Sequence, residues 1–502
     1  MSVRRVDSNR SHNSEPKEEH QKIEHAPHRH EPVKPSRVYT EAEEKKLYRK
    51  IDLRILPILS FLYLLSFMDR GNIGNARLQG LEADLQMTGN MYAISLSVYF
   101  ISYGLFEVPA NLALKKLTPR TWLAFITVCW GIVMTCMGLV QNWAGLVAVR
   151  LLLGIAEAGL YPGVIFYLSL WYPRHLYQTR VSIFFASATI AGSFSGLLAY
   201  GIGFMDGVRG YSGWRWIFIL EGLLTVVAGF FAYFIIVDYP ETAKFLTEDE
   251  KAWTIWVRSS DQGKYGEADH VTFKFIKDAL SDWQIPLCLL NYFAIDVALY
   301  SVALFMPTIV SFGTYTRPQV QLLTIPVYAV ACAWVIICGI LADRHRSRGL
   351  YMMINLVLIG IGFIIEITPA PYGVKYFALF LAASGAYAGL PNVVSWLSNN
   401  LAGQTKRGVG VATQIGVGNF IAIVSSNIYT ADSAPRYITG HAVNLGFCAL
   451  GLVTVPTYAF LLRRANKRKA AILALPEEER PVYTPEEARA LGDKHYTFKY
   501  MI

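Results

Sequence analysis

The chain has 502 residues, 53% hydrophobic and 17% charged, with a formal net charge of +9. Its apolar residues gather into blocks of about 20, the length that crosses about 30 Å of hydrocarbon as a helix. This patterning excludes a soluble globular fold and predicts an all-α polytopic membrane protein, whose positive charge fits a face near anionic lipid and requires no nucleic-acid partner.

Residues 1 to about 39 mix Ser, Pro, His, Glu and Arg, bury too little apolar surface to offset chain entropy, and predict a disordered tail with no signal peptide. Half of the ten histidines lie in the first 30 residues, where a solvated tail explains them. None of the others falls in the middle of a span, which counts against an intramembrane metal centre. Thr40 and Glu43 form a capping-box pattern that opens a short charged helix leading into the first span.

Twelve spans follow, at about 53–74, 91–112, 121–141, 145–170, 180–204, 216–237, 284–311, 321–342, 350–368, 375–397, 409–430 and 442–462. Lys45, Lys46, Arg49, Lys50 and Arg54 precede the first, and Arg463, Arg464, Lys467, Arg468 and Lys469 follow the last. The positive-inside bias therefore places both termini in the cytoplasm of a multi-pass plasma-membrane protein. All six cysteines sit inside spans, as packing residues rather than disulfide or metal partners.

A polar stretch from Asp238 to Trp283 divides the spans into two sets of six, as in a transporter built from two repeated halves. The divisions are a tail with juxtamembrane helix (1–50), a first half (51–237), a central loop (238–283), a second half (284–463) and a final tail (464–502). Within the loop, Thr247 and Glu250 repeat the capping-box pattern, and Trp253, Ile255 and Trp256 predict an amphipathic helix on the inner membrane surface. Thr484 and Pro485 predict a last cytoplasmic helix.

The chemistry is concentrated in charges inside the spans. Asp69 and Arg70 adjoin in the first, and Arg150 and Glu157 lie seven residues apart in the fourth. Each costs roughly 2.5 to 3.5 kcal/mol near the bilayer centre unless it pairs or lines a wet cavity. Spans 1 and 4 run in opposite directions, so Asp69 and Arg70 are expected at a depth similar to Arg150, with Glu157 about 10 Å deeper than Arg150 on nearly the same face. Two arginines can hold an anion there, and two carboxylates can take up and release a proton. A buried structural pair of Arg70 with Asp69 or Glu157 is the bland alternative. Asp296, near Asn291 and Tyr292, is a further intramembrane acid; these, with Asn72, Asn392, Gln414 and Asn419, are candidate substrate or coupling contacts, with interhelical hydrogen bonding as the bland reading. Glu107, beside Pro109 and a basic loop, fits a gate-stabilising ion pair. Gly154 and Gly159 in span 4, and Gly192, Gly196 and Gly201 in span 5, fit close helix contacts.

The loop GILADRHRSRG, from Gly339 to Gly349, resembles the G-x-x-x-D-R-x-x-x-R element of the major facilitator superfamily. The corresponding first-half loop NLALKKLTPR, from Asn111, departs from it, with Lys115 where the Asp would stand. Together with LSFMDRGNIGNARLQGLEADL (from Leu65), FEVPANLALKKL (from Phe106) and RLLLGIAEAGLYPGVIFYLSLWYP (from Arg150), it is similar to the anion:cation symporter branch, whose fungal members import nicotinate, pantothenate, biotin or allantoate.

The resemblance implies a major facilitator fold and proton symport of a small organic carboxylate. It assigns proton coupling to Asp69 and Glu157, contact with substrate or with these acids to Arg70 and Arg150, and a cytoplasmic gate to Lys115, Arg120, Asp343, Arg344 and Arg348, alongside Glu107. No cofactor, metal or enzymatic activity is implied, and the partners are the organic anion, protons and lipid around a monomer. A proton-driven exporter of drugs or secondary metabolites is the alternative within transport, although span 5 reads ASATIAGSFSGLLAYGIG without the Gly-Pro of antiporters. A nutrient sensor on the same fold would be expected to carry longer tails.

Overall fold

In a computed structural model, described for residues 35, 37–262, 277, 279–310, 317–429, 433, 436–484, 487–488 and 491–502, the regular structure is helical throughout. The expected N-terminal disorder falls outside these residues, apart from the stretch next to Thr40. Twelve helices are long and apolar enough to cross a membrane, and they are numbered here as spans 1 to 12 in chain order: Glu41–Leu78, Met91–Leu114, Pro119–Met137, Trp143–Trp171, Arg174–Gly203, Gly213–Ile235, Gln284–Pro307, Leu322–Arg344, Arg348–Ile367, Tyr372–Asn400, Gln404–Asn427 and Ile438–Leu473.

The capping box at Thr40 forms as the sequence indicates, with the Thr40 N–H donating to Glu43 Oε2 at 2.9 Å and the Glu43 N–H to Thr40 Oγ1 at 3.4 Å. The juxtamembrane helix, however, is not a separate element. Nothing breaks the chain after the cap, so it runs straight into span 1 as one helix of 38 residues. The central-loop helix, Glu248–Gln262, also starts at its expected cap, where the Thr247 N–H donates to Glu250 Oε2 at 2.9 Å. Burial raises the Glu250 carboxyl, but hydrogen bonds from Lys50 and Thr247 outweigh it and leave the group below its ordinary value. Its tryptophans meet protein as well as any membrane surface: Trp253 is buried 5.2 Å from the Tyr39 ring, and Arg258 Nη1 donates to Leu170 O at 2.6 Å. Thr484 caps as expected, in a reciprocal bond with Glu487 that was not among the expectations; residues 487–488 are helical and Pro485 lies outside the described residues.

Spans 4 and 11 are interrupted. Span 4 consists of Trp143–Glu157 and Leu160–Trp171, and span 11 of Gln404–Asn419 and Ile421–Asn427. Helices cross closely where glycine removes a side chain: a Cβ on Gly154 would stand 2.5 Å from Tyr99 O on span 2, and one on Gly192 would stand 2.8 Å from the Tyr328 ring on span 8. The expected contact at Gly201 is absent, since a Cβ there meets nothing within 4 Å.

Within the first half, spans 3 and 6, 2 and 4, and 1 and 5 pack together; within the second, spans 9 and 10, 7 and 12, and 8 and 10 do so. The halves meet mainly through span 5 against span 8 and span 2 against span 11. These contacts place spans 1, 4, 7 and 11 around the buried charges.

Candidate functional site

Glu157 is the last residue of the first segment of span 4 and is fully buried. Its Oε1 accepts from Arg70 Nε at 2.9 Å and from Ser66 Oγ, and its Oε2 accepts from Tyr99 OH at 2.6 Å. Ser66 and Arg70 are four residues apart and share one face of span 1. The Arg70 guanidinium lies 4.7 Å from the Tyr103 ring centroid and 5.8 Å from those of Tyr99 and Phe67. Its Nη1 reaches Tyr300 OH at 3.4 Å, and Tyr300 OH donates to Asn419 Oδ1 at 3.2 Å. The ion pair is thereby joined to spans 7 and 11 of the other half.

Arg150 is 2% exposed, and its Nε and Nη2 have no hydrogen-bond partner. The guanidinium stands 5.8 Å from the same Tyr99 ring. Tyr99 is therefore the shared wall between a neutralised arginine and one with free donors. The Arg70–Glu157 pair leaves Arg150 as a second buried guanidinium, whose unpartnered nitrogens suit a carboxylate ligand bound in bidentate fashion.

Asp69 does not join this group. Successive helical residues diverge by about 100°, so Asp69 faces spans 3 and 6, where its Oδ2 accepts from Trp130 Nε1 at 2.8 Å and Thr225 Oγ1 at 3.3 Å. Asn72, three residues on, donates to Glu221 Oε2 at 2.5 Å. The two acids that the family resemblance groups in proton coupling therefore lie against different faces of span 1, Glu157 with Ser66 and Arg70, Asp69 with Trp130 and Thr225.

Of the remaining candidates, Asn419 reaches the pair through Tyr300, and Asp296 and Glu107 lie close enough to feel the Arg70 charge. Tyr292 packs on Gly418, Asn291 Oδ1 accepts from Thr454 Oγ1 at 2.6 Å, and Gln414 Nε2 donates to Cys288 O at 3.1 Å, which are helix-to-helix contacts. Asn392 donates to Arg348 O at 3.1 Å, near the face that bears the termini. Asp296 is buried with Oδ2 unpartnered. Glu107 is buried with neither oxygen partnered, its carboxylate packed against Gly416 of span 11, so among the described residues the expected ion pair does not form.

The terminus-bearing face is closed. Asp343 accepts from the Thr179 N–H and Oγ1, both at 2.7 Å, and pairs with Arg348 Nη2 at 2.5 Å, binding span 5 to spans 8 and 9. Among the described residues Arg120 meets Tyr233 of its own half and Asp238 at the start of the central loop, Arg344 is exposed, and the Lys115 side chain lies outside the described residues. Asn111 donates to Gly408 O at 2.7 Å, and Ser398 to Tyr177 OH at 3.2 Å. Across this face runs the segment after Leu491. Trp396 and Asn400 donate to Met501 O at 3.0 and 2.9 Å, Arg174 donates to Lys499 O at 3.1 Å, and Asp493 accepts Lys406 at 2.6 Å.

Sequence reasoning missed Ser66, Tyr99, Tyr103 and Tyr300, ordinary residue types whose role depends on three-dimensional neighbours. Glu221 and Glu366 were also missed, although an acid inside a span is a functional signal by itself. Among the described residues no cluster of three or more metal-ligating side chains occurs.

A sequence profile of the Major Facilitator Superfamily matches residues 59–457. Uncharacterized transporter C1002.16c of Schizosaccharomyces pombe is 36% identical over 436 residues, 87% of this chain and 87% of that protein. MFS-type transporter cnsO of Penicillium expansum is 36% identical over 479 residues, 93% of this chain and 92% of that one. The solved structure of the proton:xylose symporter XylE bound to 6-bromo-6-deoxy-D-glucose is similar in fold, with a TM-score of 0.62 at 14% identity over 80% of this chain and 94% of that chain.

Proposed function

This chain belongs to the Major Facilitator Superfamily, a family of membrane transporters, and from that premise we propose that it imports a small organic carboxylate together with a proton across the plasma membrane. The observation that carries this reading is the buried Arg150 guanidinium with two unpartnered nitrogens, sharing Tyr99 with the Arg70–Glu157 ion pair. An anion entering from the side opposite the termini meets a guanidinium already stripped of water. It competes with Glu157 for Arg70, and a Glu157 displaced from its cation is better stabilised as the neutral acid. Anion and proton binding thus favour one another, which is the coupling symport requires.

Rocking of the halves would then release both at the terminus-bearing face, read here as cytoplasmic. The test is uptake of a panel of radiolabelled carboxylates in a host lacking its own carriers, at acid and neutral external pH. Accumulation stimulated by acid and abolished by an uncoupler is the expected result. Substrate leaving loaded cells under the same gradient would instead assign the protein to export.

A further inference from the structure

Beside the Arg70–Glu157 pair, the first half holds a second buried acidic group with a one-sided hydrogen-bond account. Asp69, Asn72 and Glu221 are each no more than 2% exposed, between spans 1, 3 and 6. The donors they receive are Trp130 Nε1 and Thr225 Oγ1 on Asp69 Oδ2, and Asn72 Nδ2 on Glu221 Oε2. Every atom of the three left without a partner is an oxygen: Asp69 Oδ1, Asn72 Oδ1 and Glu221 Oε1.

No Lys, Arg or His among the described residues pairs with either acid. The acids Glu221 and Glu157 act on Asp69, and its chain neighbour Arg70 is turned to another face of span 1, where it pairs with Glu157. Spans 3 and 6 bring to Asp69 only the Trp130 indole and the Thr225 hydroxyl, besides Glu221 itself. Two ionised carboxyls in such a place have no counter-charge, and burying them so is costly. Protonation removes one negative charge and turns one surplus acceptor into a donor.

We propose that Asp69, Asn72 and Glu221 form a proton-binding site separate from Glu157, in which Glu221 carries the proton and donates it to Asn72 Oδ1 through the opposite orientation of the amide. A metal ion fits less well. It would gather oxygen ligands on all sides, whereas the Asn72 side chain stands 2.5 Å from the Glu221 carboxyl, close enough for a direct hydrogen bond and leaving no space for an ion between them. The site adds a second proton position to the import reading, but its occupancy is independent of which substrate is carried.

The test is infrared spectroscopy on the purified, substrate-free protein at neutral pH. A wild-type minus Glu221→Gln difference spectrum cancels the other buried acids, Glu107, Asp296 and Glu366. It is expected to show the carbonyl band of one protonated carboxylic acid, unchanged when sodium replaces choline in the buffer. Asn72→Ala should shift that band by removing its acceptor, and serves as the readout if Glu221→Gln does not fold. A difference spectrum showing only an ionised carboxylate, no band shift in Asn72→Ala, or loss of the band on adding sodium would each overturn the proposal. None of these results depends on anion transport, so failure of the import reading would be seen separately, in the uptake panel.

Discussion

At the scale of single residues, Arg150 and Glu157 carry different predictions because their surroundings differ. Arg150 has free donors, so its planar fork is available to a ligand. Arg150→Lys keeps the charge but removes the bidentate geometry. Losing one charge-assisted hydrogen bond, about 1.5–3 kcal/mol, should lower uptake about tenfold or more while surface abundance is unchanged. Normal uptake by Arg150→Ala would remove the main support for an anionic substrate. Glu157 is held by Ser66, Tyr99 and Arg70. Glu157→Gln retains size and some of these contacts but removes the titratable proton. Uphill accumulation should fail while exchange of labelled for preloaded substrate persists; loss of both would place Glu157 in binding or folding instead.

Among the elements, the break in span 4 and the final segment carry the argument. Glu157 ends one helical segment and Leu160 begins the next, so the carboxylate sits where the regular backbone ladder is interrupted. The final segment contributes backbone carbonyls to Arg174 of the first half and to Trp396 and Asn400 of the second, and so spans the closed face. Deleting residues 492–502 removes these ties and leaves Lys406 with Asp282 alone. A cysteine in place of Ser398, which is 1% exposed, should react several-fold faster with a hydrophilic maleimide in the shortened protein than in the full chain. Equal rates would show that the segment does not hold this face shut.

For the whole molecule, the prediction concerns movement of the halves. Cys332 on span 8 lies with Sγ 3.9 Å from Ala186 O on span 5, at a crossing where the two halves touch. An Ala186→Cys substitution should form a disulfide with Cys332 under mild oxidation. If transport proceeds by rocking about this interface, cross-linking stops uptake and a reductant restores it. Full uptake by the cross-linked protein would place the motion elsewhere.

The twelve spans, the division into halves and the presence of Asp69, Arg70, Arg150 and Glu157 inside the spans were legible in the sequence, because hydrocarbon thickness fixes helix length and the cost of a buried charge marks each exception. Neighbours in the chain did not determine neighbours in space. The 3.6-residue turn sends Asp69 and Arg70 to different faces, so only packing decided that Arg70 meets Glu157 while Asp69 joins Trp130, Asn72 and Glu221. Packing likewise left Glu107 unpaired and drew the final residues across the terminus-bearing face. Hydropathy reports the depth of a residue in the membrane; the direction a side chain takes around its helix, and the partner it finds, arise from contacts among helices far apart in the chain.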